Sequence, residues 1–406
     1  MEVWPYSPQA TITESLEWMT DIQRCRSAEY RQCLRLRPRQ ELQLKFLMTQ
    51  EEFSKAKLVA KRLGTESSQT AADLILYGAT PFSLWVPLWP MAYRTVSIAS
   101  GSTHIPKDVD DPVQLTRFGS VIMVWESPSK YEVLGVSVNS VDPEDPYITT
   151  YTATTQAYTS PWVIPLRVGE LAQEFEATRS TFQKVETSVR FRVIAGDDYS
   201  DEPGDMYAAY RYGNHPLVID RSLLRSGVKE QYQREFEEVD SEIGNAWRFP
   251  SFSIPDQSGQ MTWHAQGREN VRALLYWLHS RKGRWKSFWI PSWSGDITVT
   301  HEIAASDTTI EITDIGMRTR GVFPFDIMIL GKDGSRTCCQ VTSAAAGSTG
   351  KEVITVSAQV GAHLYTWDID KVCMLTLYRF ESDRIEITHE SGMVSTVSTS
   401  VVEVPA

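Results

Sequence analysis

One seven-residue pattern occurs twice in this chain. Ser83-Leu84-Trp85-Val86-Pro87-Leu88-Trp89 and Ser287-Phe288-Trp289-Ile290-Pro291-Ser292-Trp293 both read serine, large apolar, tryptophan, β-branched, proline, any residue, tryptophan. Only 13 of 406 residues are tryptophan, so two pairs at one spacing around a proline point to an internal repeat. A repeat constrains the fold strongly, because one unit must then be built twice. The likeness reaches upstream, where Pro38, Gln40 and Phe46 match Pro255, Gln257 and Trp263 in offset.

Between these segments and the motifs each half has a helical stretch. In residues 268–280, Val271, Leu274, Leu275 and Leu278 recur at i, i+3, i+4 and i+7, the stripe of an amphipathic helix. In residues 51–63, Phe53, Ala56, Ala60 and Leu63 give a weaker stripe. Gly283 reads as the left-handed residue closing the second helix, and the cations around it suit the negative end of the helix dipole. After each motif the pattern turns to β. Residues 118–124 resemble 323–329, Arg384-Ile385-Glu386-Ile387-Thr388 alternates strictly, and Lys332-Asp333-Gly334-Ser335 reads as a hairpin turn.

These patterns predict a mainly β chain with flanking helices (α+β), made of two tandem copies of a helix-plus-β-sandwich or barrel unit. The first copy is assigned to residues 1–195, an acidic linker to 196–213, and the second copy with a C-terminal β-domain to 214–406.

Composition narrows the function. The net charge of −11 argues against nucleic acid or an anionic membrane as the main partner. No run is long enough for a transmembrane helix, and the first residues lack the features of a secretory signal, so synthesis in a cytoplasm is expected. The five cysteines, Cys25, Cys33, Cys338, Cys339 and Cys373, are sparse and odd in number, which favours reduced thiols. No CxxC, HExxH, GxSxG, P-loop or GxGxxG occurs. His301-Glu302 and His389-Glu390 place a histidine beside a carboxylate, but strand neighbours point to opposite faces, and both pairs read as surface residues. Asp326, Asp333, Asp368, Asp370 and Asp383 lack the spacing of a calcium loop. The chain is therefore expected not to be an enzyme, with no catalytic residue, cofactor or metal assigned.

Two basic clusters stand out against the acidic whole: Arg24, Arg26, Arg31, Arg35, Arg37 and Arg39, and Arg281, Lys282, Arg284 and Lys286. An ion-pairing surface against an acidic neighbouring subunit is the favoured reading, ahead of a solvated face or phosphate contacts. In the repeated motif the two tryptophans and the proline sit at i, i+2 and i+4, which on a strand is one face. The proline calls for an edge or a bulge. Candidate subunit-interface residues are thus Trp85, Trp89, Trp289, Trp293, Arg24, Arg31, Arg35 and Arg284. A carbohydrate-stacking platform is the alternative use of the tryptophans.

The helix that runs into Arg281-Lys282-Gly283-Arg284-Trp285-Lys286-Ser287-Phe288-Trp289-Ile290-Pro291-Ser292-Trp293, followed by a long β region, resembles tail proteins of long-tailed bacteriophages. Trp18-Met19-Thr20-Asp21 with Leu36-Arg37-Pro38-Arg39, and Arg379-Phe380-Glu381-Ser382-Asp383 near the end, share the resemblance. It implies a structural virion protein of the tail tip, similar to distal tail or baseplate ring proteins. Such rings join the tail tube to the hub or fibres, so the implied partners are copies of itself, tube protein and hub or fibre proteins. DNA is implied only as passing cargo, and no membrane. A doubled unit departs from the usual single copy and suggests three chains in a pseudo-sixfold ring, with a hexamer as the other possibility. A receptor- or carbohydrate-binding tail module is the runner-up.

Overall fold

The computed structural model describes residues 1–9, 11–24, 28–63, 80, 82–107, 116, 119–139, 146–179, 181, 183–194, 207, 209–221, 230–233, 236–240, 242, 244–250 and 256–404. The protein is mainly β, with large antiparallel sheets and short flanking helices, as the patterning predicts.

The first half runs β1 (Ile12–Arg24), β2 (Glu29–Thr49), α1 (Gln50–Arg62), β3 (Ser83–Pro87), β4 (Tyr93–Arg94), β5 (His104–Pro106), β6 (Val121–Ser127), β7 (Lys130–Asn139), β8 (Tyr147–Thr150), β9 (Trp162–Arg179) and β10 (Lys184–Val193). The second runs β11 (Arg211–Tyr212), β12 (His215–Pro216), β13 (Glu230–Gln233), β14 (Phe236–Val239), β15 (Trp247–Pro250), β16 (Asp256–Gln266), α2 (Arg268–Arg281), β17 (Phe288–Pro291) and β18 (Thr309–Thr313). It continues through α3 (Met317–Arg320), β19 (Phe325–Gly331), β20 (Arg336–Ala346), β21 (Lys351–Val356), β22 (Ile369–Phe380), β23 (Arg384–Ser391) and β24 (Val394–Glu403).

A like series of pairings runs through both halves. β3 pairs β9, and β17 pairs β22. β6 lies against β9 and forms a hairpin with β7, while β19 lies against β22 and forms a hairpin with β20. Behind the helices, β2 pairs β10, and β16 pairs β24. Even the isolated parallel bridges correspond, Val3 to Trp85 and Leu217 to Trp289.

Local chemistry explains the elements. Thr49 caps α1: its hydroxyl accepts from the Glu52 amide, and the Glu52 carboxylate accepts from the Thr49 amide, so two otherwise orphaned donors are satisfied. The α2 stripe is buried at Val271, Leu274, Leu275 and Leu278. Left-handed geometry at its end begins one residue earlier than expected, at Lys282 (φ 55°), and continues at Gly283 (φ 63°). The turn at residues 332–335 joins β19 to β20 where the sequence places it.

The central core draws on both halves, with Trp4, Leu16 and Phe191 in one cluster with Trp277, Phe288 and Phe380. Two satellite cores lie under the β segments that follow the motifs. One contains Ile105, Ile122 and Ile148, the other Ile310, Ile327 and Ile354. Most of the acidic stretch at 196–213 lies outside the described residues. Tyr207 within it is fully buried, edge-on to the Trp277 ring, and its hydroxyl donates to Asp220 at 2.8 Å.

The motif itself departs from the expected single strand face. β3 stops at Pro87, and Trp89 lies in a 3₁₀ turn, Trp89–Met91. β17 stops at Pro291, and Trp293 takes a left-handed φ of 58°. A residue without an N–H ends the ladder, so the second tryptophan leaves the strand. Two residues before each proline the far side of the strand is bridged, Trp85 by Val3 and Trp289 by Leu217.

Candidate functional site

The β1–β2 hairpin is longer than its own half requires. The part of β2 nearest α1 pairs β10, while residues 29–39 extend beyond that ladder and pair only β1. The hairpin forms an arm that reaches the second half. There residues 12–17 of β1 pair antiparallel with residues 389–384 of β23. One sheet thus crosses from the first half into the second.

Alternation decides which side chains enter the seam. Ile12, Glu14, Leu16 and Trp18 share one strand face, and all are buried. On the facing strand Ile385, Ile387 and His389 share a face and are buried as well. Glu14 and His389 meet: the His389 Nε2 lies 2.8 Å from a Glu14 carboxylate oxygen, and its Nδ1 lies 2.7 Å from Ser395 Oγ. The Gln40 amide donates to the other Glu14 oxygen at 2.6 Å. Burial opposes ionisation of Glu14, but the hydrogen bond and charge of His389, with the Gln40 bond, outweigh it and hold the carboxyl below the ordinary glutamate range. His389 is therefore no surface residue, contrary to its expected role. Its set resembles a serine–histidine–carboxylate relay, yet all three members are enclosed, so it joins strands rather than reaching a substrate.

Glu14 makes the seam acid-sensitive. A carboxyl depressed in the folded state stabilises it above the unfolded value, about 4.3, and that stabilisation disappears as pH falls through the folded value. Denaturation midpoints are expected to fall from about pH 4.3 downward, and Glu14→Gln should flatten that limb; an unchanged limb would count against Glu14 as its origin.

A second polar centre lies at the tip of the arm. The Glu29 side chain is fully enclosed and receives Arg379 through two bonds, Nε to Oε1 at 2.7 Å and Nη2 to Oε2 at 3.1 Å. Arg24 Nε lies 3.0 Å and Arg31 Nε 3.4 Å from the same carboxylate. Arg31 also donates to Ser287 of the second motif at 3.1 Å. Between the two centres stands Asp383. Its carboxylate accepts from Thr20 N at 2.7 Å, Thr20 Oγ1 at 2.8 Å and Arg284 N at 2.9 Å, and its carbonyl accepts from Trp18 N at 3.0 Å. Gly283 packs so close that a Cβ there would stand 2.5 Å from the Asp383 carboxylate and 3.3 Å from Trp18 Cβ. Gly283→Ala should therefore lower the thermal midpoint by several degrees, while Gly334→Ala in the exposed hairpin turn, where only φ is at stake, should lower it less.

No protein-family model matches the chain, and no curated protein matches it.

The residues singled out from sequence therefore fall into two groups. Arg24, Arg31 and Arg284 all lie at the seam, and Arg35 bonds within the arm, donating to the Glu17 carbonyl at 3.2 Å. Arg24 and Arg31 spend their charge on Glu29 of their own chain and on the join between its halves. Trp85, Trp89 and Trp289 are 7–9% exposed and enclosed by this chain's own side chains, so they do not present a face to a neighbouring subunit. Trp293 is half-buried. Among the described residues no three His, Cys, Asp or Glu side chains cluster as a metal site. No helix there is long and apolar enough to cross a membrane. Asp326 bonds Tyr212, Asp370 pairs Lys371, and Asp383 serves the seam. Cys33, Cys338, Cys339 and Cys373 are free, and Cys25 lies outside the described residues.

Glu14 and Glu29 are not singled out by the sequence, and Arg379 and Asp383 are named there without their part in the seam. The signal for Glu14 and His389 is their register. Each continues an inward-facing apolar series, and a charged residue in such a series must find a partner.

Proposed function

We propose that this chain is a structural protein of a bacteriophage tail, a tandem duplication of one helix-plus-β unit that assembles into a ring between the tail tube and the hub or fibres. It acts through its surfaces rather than as an enzyme, its place is the virion tail, and DNA passes through the ring without being bound. The observation that carries the reading is the seam. The arm of the first unit supplies an edge strand to the sheet of the second, which is how a unit built to be embraced by its neighbour would look when two are fused in one chain. The matching pairings and the doubled motif support the duplication, and the resemblance at residues 281–293 supports the tail.

Three chains, each with two units, then make a pseudo-sixfold ring suited to lie between a sixfold tube and a threefold hub. Electron microscopy of the purified protein without imposed symmetry tests this reading. A ring with a central channel and alternating, unequal units is expected; particles without a ring would overturn it.

A receptor- or carbohydrate-binding role has one specific observation in its favour. Trp293, held in its left-handed conformation, lines a cleft of about 520 Å³ with Tyr232, Asp296 and Tyr378. Strained residues of this kind gather at binding sites. Binding on a glycan array, abolished by Trp293→Ala without loss of folding, would favour that role over the ring.

A further inference from the structure

The second half carries an arm of its own. β13 pairs β16 with Glu230 opposite Gly259, and β14 pairs β15 with Val239 opposite Trp247, so the strands 230–233 and 236–239, facing 256–259 and 247–250, correspond in order to β1 and β2. β16 enters α2 as β2 enters α1. The two arms differ in what covers them. β1 lies between β2 and β23, with its alternate side chains buried. β13 pairs only β16, and β14 and β15 form a ribbon that joins no other described strand. On one face of that ribbon Val239, Trp247 and Phe249 are 52%, 67% and 52% exposed. A two-stranded ribbon with an uncovered aromatic face gains little stability by itself, and such a face marks a contact surface.

The landing site is defined by the same correspondence. β23, on which the first arm docks, has β24 on one edge and β1 on the other. Its counterpart is the distal part of β9. From residue 171 to 179 that strand pairs β10 on one edge and no described strand on the other. Among the described residues there is therefore one filled seam, one arm that no strand covers and one strand edge without a partner. The unfilled pair lies in opposite halves of the chain.

We infer that the second arm, through β13, β14 and β15, docks on the edge of β9 at residues 171–179 of another copy of this chain, repeating between chains the contact that β1 and β23 make within one. The occupant of the aromatic face is thus a second copy. The interface is continuous in kind with the internal seam: an antiparallel strand added to a sheet edge, with alternate side chains closing over the core beneath. It is heterologous, head to tail, and such contacts close into rings when the rotation permits. This inference rests on the proposed duplication for the pairing of arm with edge and on the ring reading for closure.

Photocrosslinking and sedimentation of the full-length chain test it. With p-benzoylphenylalanine in place of Tyr232, crosslinks between differently labelled chains are expected to map to residues 170–179. The double variant Trp247→Ser, Phe249→Ser changes only exposed side chains, so its circular dichroism and melting should match the wild type. Its self-association should be at least about tenfold weaker. An oligomeric wild type whose crosslinks map elsewhere, or a double variant that associates undiminished, would overturn the arm-to-edge contact and leave the ring standing. A wild type that stays monomeric at all attainable concentrations would overturn both.

Discussion

Glu29→Ala is expected to destabilise the protein by about 3–5 kcal/mol, the usual effect of removing one partner from an enclosed ion pair. The reason lies in what remains. Arg379 keeps only 6% of its side chain exposed, and Arg24 and Arg31 crowd the same position. Without the carboxylate, three guanidinium groups face one another at a site with little access to water. The arm tip should then lift from the second half, and amides of β1 and β23 should exchange faster with solvent. The double variant Glu29→Leu, Arg379→Met removes the most enclosed pair and should recover part of the loss, because apolar side chains can replace a buried pair at little cost while Arg24 and Arg31, 24% and 14% exposed, can turn toward solvent. A double variant as unstable as Glu29→Ala would mean that the pair is not what holds the tip.

Trp18→Ala should have an effect of similar size, again about 3–5 kcal/mol, from lost burial and the cavity left behind. Trp18 is 1% exposed, and its ring stands edge-on to His279 with centroids 5.5 Å apart. Its surroundings cannot collapse easily, since Gly283 and Asp383 are fixed by the end of α2 and by the Thr20 and Arg284 bonds. Trp18→Phe keeps an aromatic face against His279 and should retain most of the stability. Denaturant midpoints of the two variants measure the difference. Each change removes a large share of the 5–15 kcal/mol by which proteins of this kind are stable, so limited proteolysis of the arm should report both.

The twin motif and the alternation of residues 384–388 made the strands, the helices and the hairpin at 332–335 legible in the sequence, because periodicity and turn chemistry are local. The role of the tryptophans was not local. Trp85 packs in the central core shared by the halves, and Trp289 in a separate cluster with Leu217, Met328 and Leu375. The prolines beside them end a strand and turn Trp89 and Trp293 out of register. Nor does spacing reveal that Arg24 and Arg31 converge on Glu29, since the fourth member, Arg379, lies 350 positions away. From sequence, Arg31 and Arg284 are expected where one subunit meets another. They lie instead where one half meets the other.

A ring built from fused pairs of units, as proposed, has a mass that fixes the number of chains in it. Native mass spectrometry of the full-length chain, under conditions that preserve contacts between subunits, should give a closed species of three chains. A particle of six full-length chains would contradict the threefold arrangement, and a monomer at every concentration would contradict the ring itself.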